Sequence, residues 1–143
     1  MPQNGYSIGR DYTLNVVTAQ GILPITAITS FKSKQETTEQ KVKQIDGTVD
    51  TVVFYDGWSG AFMVERKDGT LDRYFCQLEA DYFAGIQEGE LTMTETITER
   101  DGSISQFRYR KVKLKLDDAG EWAGDKTVKR TINFVASRKI QII

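Results

Sequence analysis

Three sets of residues have the types that catalysis or ligand binding would need. They are one thiol, Cys76; the carboxylate pairs Asp117-Asp118 and Glu79 with Asp81; and a basic set of Lys111, Lys113, Lys115, Lys129 and Arg130 close to Tyr109. Paired carboxylates can divide acid and base work when their environments push their pKa values apart. Here a turn and a solvated surface explain both pairs without chemistry. The thiol lies in Tyr74-Phe75-Cys76-Gln77-Leu78, and the chain has no histidine to draw a proton from it, so a small core residue is expected there. Absence of histidine also removes the Ser-His and Cys-His nucleophile pairs and most zinc sites. A single cysteine closes no intramolecular disulfide and builds no thiolate cluster. Phosphate-binding glycine loops and calcium loops are missing as motifs. The expectation is therefore no enzyme, no catalytic residue, no cofactor and no metal. The basic set could meet phosphates with Tyr109 stacking on a base, but the overall pI near 5.5 argues against a nucleic-acid module.

The remaining residues must be read as architecture. A chain of 143 residues, 39% hydrophobic and 27% charged, has the composition of one globular domain and can bury roughly 70% of its unfolded surface. One domain over 1–143 is expected. No apolar run reaches the roughly 18 to 20 residues that span a bilayer, and Met1-Pro2-Gln3-Asn4-Gly5 lacks the order of a signal peptide, so a cytoplasmic chain without membrane anchor is expected. Net charge is −1 but unevenly spread: residues 1–105 hold 9 basic against 16 acidic side chains (net −7), and 106–143 hold 10 against 4 (net +6). Such asymmetry can attract one copy of a molecule to another.

Two-residue alternation dominates. Tyr12-Thr13-Leu14-Asn15-Val16 reads as a strand, followed by a turn at Gln20-Gly21 and a second strand over Ile25 to Phe31, with Pro24 restricting its start. Residues 32–50 change character: Lys32, Lys34, Lys41 and Lys43 oppose Glu36, Glu39, Asp46 and Asp50, with only Val42, Ile45 and Val49 apolar. That stretch reads as a polar hairpin arm turning at Asp46-Gly47. Val52-Val53-Phe54-Tyr55 is expected to re-enter the core, Asp56-Gly57 to turn, and Trp58, Phe62 and Val64 to face inward around an inner Gly60. A helix over about 70–84 follows from Leu71, Tyr74, Phe75, Leu78 and Tyr82 at i, i+3, i+4, i+7 and i+11, with Thr70 as N-cap and Gly85 closing it. Its stripe is expected to be core.

Beyond it, Leu91, Met93 and Ile97 share one face, and Thr92, Thr94, Thr96 and Thr98 the other. Asp101-Gly102 marks a hairpin. The parity change between Tyr109 and Val112 predicts a β-bulge near Arg110-Lys111, leaving Lys111, Lys113 and Lys115 outward. Asp117 to Gly120 turns, and Val128, Ile132, Phe134 and Ala136 make the last strand. The fold class expected is mainly β, an antiparallel β-sandwich or barrel with one mid-chain α-helix and a long polar β-hairpin arm.

The sequence resembles the tail tube proteins of contractile-tailed bacteriophages. The likeness rests on the arm Lys32 to Asp50, Phe54-Tyr55-Asp56-Gly57-Trp58-Ser59-Gly60, the Glu65-Arg66-Lys67-Asp68-Gly69 turn into the helix, and Thr96-Ile97-Thr98-Glu99-Arg100-Asp101-Gly102. Leu116-Asp117-Asp118-Ala119-Gly120-Glu121-Trp122 with Val128 to Ala136 extends it over roughly residues 10–140. It implies a virion protein, assembled in the host cytoplasm, whose six-membered rings stack into a hollow tail tube. DNA would pass through without sequence-specific binding, and the partners would be other copies, the sheath, the baseplate and the tape-measure protein. The type VI secretion tube looks similar. By position the arm, with Lys34, Glu36, Glu39, Lys41, Val42, Lys43, Ile45 and Val49, matches the family's ring-to-ring loop. Complementary charge and open strand edges are compatible with such assembly. The alternative is a carrier of the lipocalin or fatty-acid-binding kind, against which stand the mid-chain helix and the polarity of the arm.

Overall fold

Among the described residues, alternating side chains become eight β-strands, and the stretch of helical period becomes one α-helix. The computed structural model describes residues 4–18, 21–23, 25, 28–67, 69–87 and 89–143. Its elements are β1 (Tyr12–Thr18), β2 (Gly21–Leu23), β3 (Ile28–Lys43), β4 (Val49–Glu65), α1 (Thr70–Phe83), β5 (Leu91–Thr98), β6 (Ile104–Asp118), β7 (Lys129–Ala136) and β8 (Arg138–Gln141). The expected turn at Gln20 and the restriction at Pro24 lie outside the described residues. The strands form one antiparallel sheet in the order β2-β1-β5-β6-β7-β4-β3, with β8 also paired to β6. Mainly β architecture, a mid-chain helix and a long hairpin are thus what the chain adopts, the choice between sandwich and barrel being resolved as a single sheet curled on itself. The curl is visible where Tyr12 of β1 stacks on Phe31 of β3 at 5.1 Å between ring centroids, although the two strands lie near opposite ends of the strand order.

Curvature concentrates in β6. Leu91 of β5 pairs with Val112 and Met93 with Tyr109, so two steps on β5 face three on β6. The extra residue is at Arg110-Lys111, where Lys111 takes a φ of +52°, the bulge that the parity change predicts. Beyond it β5 has ended, and residues 113–118 pair with β7 alone among the described strands. The strand after β7 is a difference from expectation: Ala136 does not end the sheet, because β8 continues along β6 from Arg110↔Arg138 to Phe107↔Gln141. Its sequence, with Ile140 as its one aliphatic side chain, carries no alternation to reveal it.

Inside the curl the largest fully buried side chains are Tyr109, Phe62, Phe134, Met93 and Ile132. Phe31 reaches over them, 5.4 Å from Phe134 and 6.3 Å from Phe62, and Tyr109 meets Phe134 edge-on at 5.5 Å. Each large ring removed from water contributes roughly 1.5 to 3 kcal/mol, with a further 0.5 to 1.5 for a well-oriented aromatic pair. Gly60 is the gap that lets this cluster close. A Cβ there would collide with the Lys32 carbonyl and stand 2.9 Å from the Phe134 ring.

The helix corrects an expectation. Gly69 occupies the N-cap position and Thr70 is the first helical residue, while Gly85, at φ +78°, closes the far end with its N–H donating to Tyr82 O at 3.1 Å and that of Ile86 to Asp81 O at 2.8 Å. No residue of α1 is fully buried. Leu71, Tyr74 and Phe75 are half-buried against the core, Leu78 is partly covered, and Tyr82 is 75% exposed. Cys76, expected inside, is exposed. The physical reason is that α1 docks through charge at its first turn. Asp72 takes the Arg66 Nε at 3.0 Å and forms an ion pair with Arg130 of β7, whose side chain is 8% exposed. The rings of its second half face solvent.

Candidate assembly surfaces

The most prominent surface feature is the β3–β4 hairpin, which outgrows the sheet that holds it. β7 pairs with β4 only as far as Trp58↔Ala136, whereas β3 and β4 stay paired through Glu36↔Gly57 and then, past the irregularity there, through seven more register positions, from Thr37↔Tyr55 to Lys43↔Val49. At a strand rise of about 3.3 Å this overhang is roughly 23 Å long. Asp56-Gly57, expected to turn, instead forms a bulge within β4, since Glu36 pairs with Gly57 and Thr37 with Tyr55. Gly57 has a φ of +107°, and a Cβ on it would lie 2.6 Å from the Ala136 carbonyl. Thr38 Oγ1 donates to the Asp56 carboxylate across the bulge. At the tip the Asp46-Gly47 turn forms as expected: Asp46 Oδ1 accepts from the Thr48 N–H at 3.0 Å and its hydroxyl at 2.7 Å, and Gly47 takes φ +91°. These bonds to the charged form hold the Asp46 carboxyl below its ordinary pKa.

The arm is less polar than its first strand implies. Val52, Val53, Phe54 and Tyr55 do not re-enter the core but are 43%, 42%, 49% and 73% exposed. Register puts Val42, Val52 and Phe54 on one face, with Thr38, Gln40 and Asp50, and Val49, Val53 and Tyr55 on the other, with Glu39, Lys41 and Lys43. Ile45 stands free at the tip. Lys34 and Glu36 belong to the root, where the Ser59 hydroxyl donates to Glu36 at 2.7 Å. Sequence reading found the charged strand of the arm and missed its apolar one. The signal available was length: Lys32 to Lys43 needs a partner strand equally long, which must take in residues 49–55.

Two further surfaces are open. β3 has β4 on one side only, β6 beyond Val112 has β7 on one side only, and the short β2 and β8 each have a single partner, so the curled sheet leaves unpaired edges among the described residues, those of β3 and β6 being the long ones. The helix contributes Tyr82, Phe83 and, just past it, Ile86, exposed at 75%, 78% and 58%. The basic set that the sequence offers to a stacked base does not form one surface. Tyr109 is fully buried and Arg130 is tied to Asp72, leaving Lys111, Lys113, Lys115 and Lys129 outward.

A buried polar cluster pins the last strand beneath these surfaces. Glu95, 3% exposed, accepts from Tyr12 OH at 2.6 Å and Lys139 Nζ at 2.6 Å. The Lys139 ammonium lies 4.9 Å from the Trp58 ring centre, 4.7 Å from Phe107 and 5.3 Å from Tyr109. Burial raises the Tyr12 pKa far above the tyrosine range, and the Glu95 carboxylate adds to it. For Lys139 burial pulls downward, but the hydrogen bond to Glu95 and the charges of Tyr109 and Glu95 outweigh it and the net direction is up.

No protein-family profile matches the chain, nor does any curated protein sequence. Solved structures do. A chain from the sheath/tube terminator of an extracellular contractile injection system superposes with a TM-score of 0.60 at 12% identity, covering 100% of this chain and 98% of that one. The tube-terminating cap of the anti-feeding prophage gives 0.62 at 9%, covering 99% and 94%. The SPP1 tail tube gives 0.55 at 12%, covering 95% and 78%. Chains of an anti-feeding prophage baseplate, a sheath-tube complex and a gene transfer agent virion share the likeness. The fold is therefore tail-tube-like, and the likeness does not single out contractile-tailed phages.

Proposed function

We propose that the chain is a structural subunit that associates with copies of itself into stacked rings, forming the tube of a phage tail or of a related injection system. The observation that carries this reading is the arm: a two-stranded ribbon with apolar side chains on both faces, extending roughly 23 Å beyond the sheet. An isolated hairpin is marginal in water, and exposed apolar area of this kind marks a surface to be covered. A neighbouring copy in the next ring supplies that cover through contacts with Val42, Ile45, Val49 and the Val52 to Tyr55 run, with Glu39, Lys41 and Lys43 setting register. The open edges of β3 and β6 suit lateral closure of a ring, for which six copies is the order proposed. In such a tube the DNA passes along the axis without sequence-specific binding, the tape-measure protein lies inside, and sheath and baseplate are the outer partners. The working place is the tail of the particle, after assembly in the host cytoplasm. A carrier reading has little support, since Phe31, Phe62, Phe134 and Tyr109 fill the interior where a ligand cavity would be.

A second reading keeps the fold and changes the position: a terminator or cap at the end of a tube. It is favoured by the superpositions on a tube terminator and a terminating cap, 0.60 and 0.62, against 0.55 for a tail tube. Negative-stain electron microscopy of concentrated protein tests both. Stacked tubes with a central hole support the tube subunit, single rings that never lengthen support the terminator, and a monomer at all concentrations overturns ring assembly.

A further inference from the structure

Two rails of lysine run along the outer face of the β3–β4–β7–β6 part of the sheet. Lys32 pairs with Ala61, Ala61 with Asn133 and Asn133 with Lys115; one step along, Lys34 pairs with Ser59, Ser59 with Val135 and Val135 with Lys113. Paired residues, and residues two apart on a strand, share a face. This face points away from the core, because Phe62, Phe134 and Leu114, at the intervening positions, are buried. All four lysines are exposed. Three inter-strand spacings put the rails roughly 14 Å apart, and the two lysines of each rail are roughly 7 Å apart. Short side chains between them leave a shallow depression of about 650 Å³ floored by Ser59, Ala61, Asn133 and Val135. A carboxylate follows each rail: Glu36, held by Ser59, on β3, and Asp117 on β6. The positive field is therefore local, on a chain whose net charge is −1.

The geometry points to a docking surface for the phosphate backbone of duplex nucleic acid. Four lysines, and no arginine, recognise phosphate as point charges without demanding a planar, bidentate partner. The aromatic residue in its lining, Phe134, turns its ring into the core and is 1% exposed, so no ring is offered to an unpaired base, which disfavours a single strand. It has no pockets for alternate side chains either, which disfavours an acidic peptide laid along the sheet. A duplex keeps its own bases stacked and presents two lines of phosphate across a groove about 12 Å wide, close to the separation of the rails. Contacts of this kind position a duplex and read no sequence. The surface belongs to the single chain, so the inference goes beyond ring assembly and does not depend on it.

The test is fluorescence anisotropy of a short labelled DNA duplex titrated with the monomeric fraction of the protein. Binding at low salt is expected, with log affinity falling against log salt at a slope of roughly −3 to −4, the value for about four neutralised phosphates. The variant K32A/K34A/K113A/K115A should weaken binding about tenfold or more and flatten that slope. K67A/R73A/R100A/K126A removes four positive charges elsewhere and should bind as the parent does. K34E/K113E repeats the test with two changes, and circular dichroism establishes that each variant is folded. No binding by the parent at low salt overturns the proposal. So does an equal loss in both fourfold variants, which would make the effect one of diffuse charge, or a preference for a single strand or for polyglutamate over the duplex. Rings and tubes are scored separately: a chain that binds duplex but forms no rings keeps this inference and loses the tube reading.

Discussion

Glu95 is the one acid of β5 that faces the core, and its neighbours decide what pH does to the fold. With Tyr12 and Lys139 both titrating higher in the folded chain than in the unfolded one, the folded state holds more protons on the alkaline side. Their contribution is complete below the unfolded values of about 10 for tyrosine and about 10.4 for lysine, and is lost as pH rises past them. Thermal melts followed by circular dichroism should be flat with respect to these groups from neutral pH to about pH 9, then fall. Tyr12→Phe should blunt the fall. Replacing Lys139 with Met leaves the Glu95 carboxylate buried without its cation, a change that typically costs about 3 to 5 kcal/mol; the lower end is expected because the Lys139 side chain is 20% exposed. Chemical denaturation measures it, and adding Glu95→Gln should recover part of the loss. The position of Glu95 was legible: it falls in step with Leu91, Met93 and Ile97. Its partner was not, because nothing in Arg138-Lys139-Ile140-Gln141 distinguishes a lysine that points inward.

At the scale of elements, strands were legible wherever one face meets the core, as in β1, β5 and the second half of β6, because burial on one side forces alternation. The arm broke that rule. Val52 to Tyr55 is an apolar run whether a core or another molecule covers it, so composition alone assigned it to the core. Excising residues 38–54 in favour of a tight turn removes no fully buried side chain. The body should melt within a few degrees of the parent, and under the proposed role of the arm the stacking of rings should be lost in electron micrographs. Unfolding of that variant would make the arm part of the core. The helix poses the complementary case: its period was plain, yet the dock is ionic. Asp72→Ala leaves Arg130 buried without its carboxylate and should cost about 3 kcal/mol or more in chemical denaturation. Tyr82→Ala, at a ring that is 75% exposed, should move the monomer by less than about 0.5 kcal/mol.

For the whole molecule, the acidic and basic portions of the sequence do not become two hemispheres. Lysines from both portions, Lys32 and Lys34 with Lys113 and Lys115, meet on one sheet face because β3 and β6 are edges of the same four strands. The surplus of acid in the first portion is partly consumed internally, by Asp72 and Glu95. Strand order, invisible in the sequence, decides which charges become neighbours. It also sets the arm apart: among the described residues each copy has one projecting ribbon and no second one. In the proposed assembly, a subunit with its ribbon excised would still receive a neighbour's but offer none in return. Such a subunit would act as a stopper, and a small fraction of it mixed into intact protein should cut filament length far more than it cuts total assembled mass. Lengths measured on micrographs should then shorten in inverse proportion to the doped fraction, as for a polymer fed a chain-terminating monomer, whereas an unchanged distribution would mean that layers hold together without the hook.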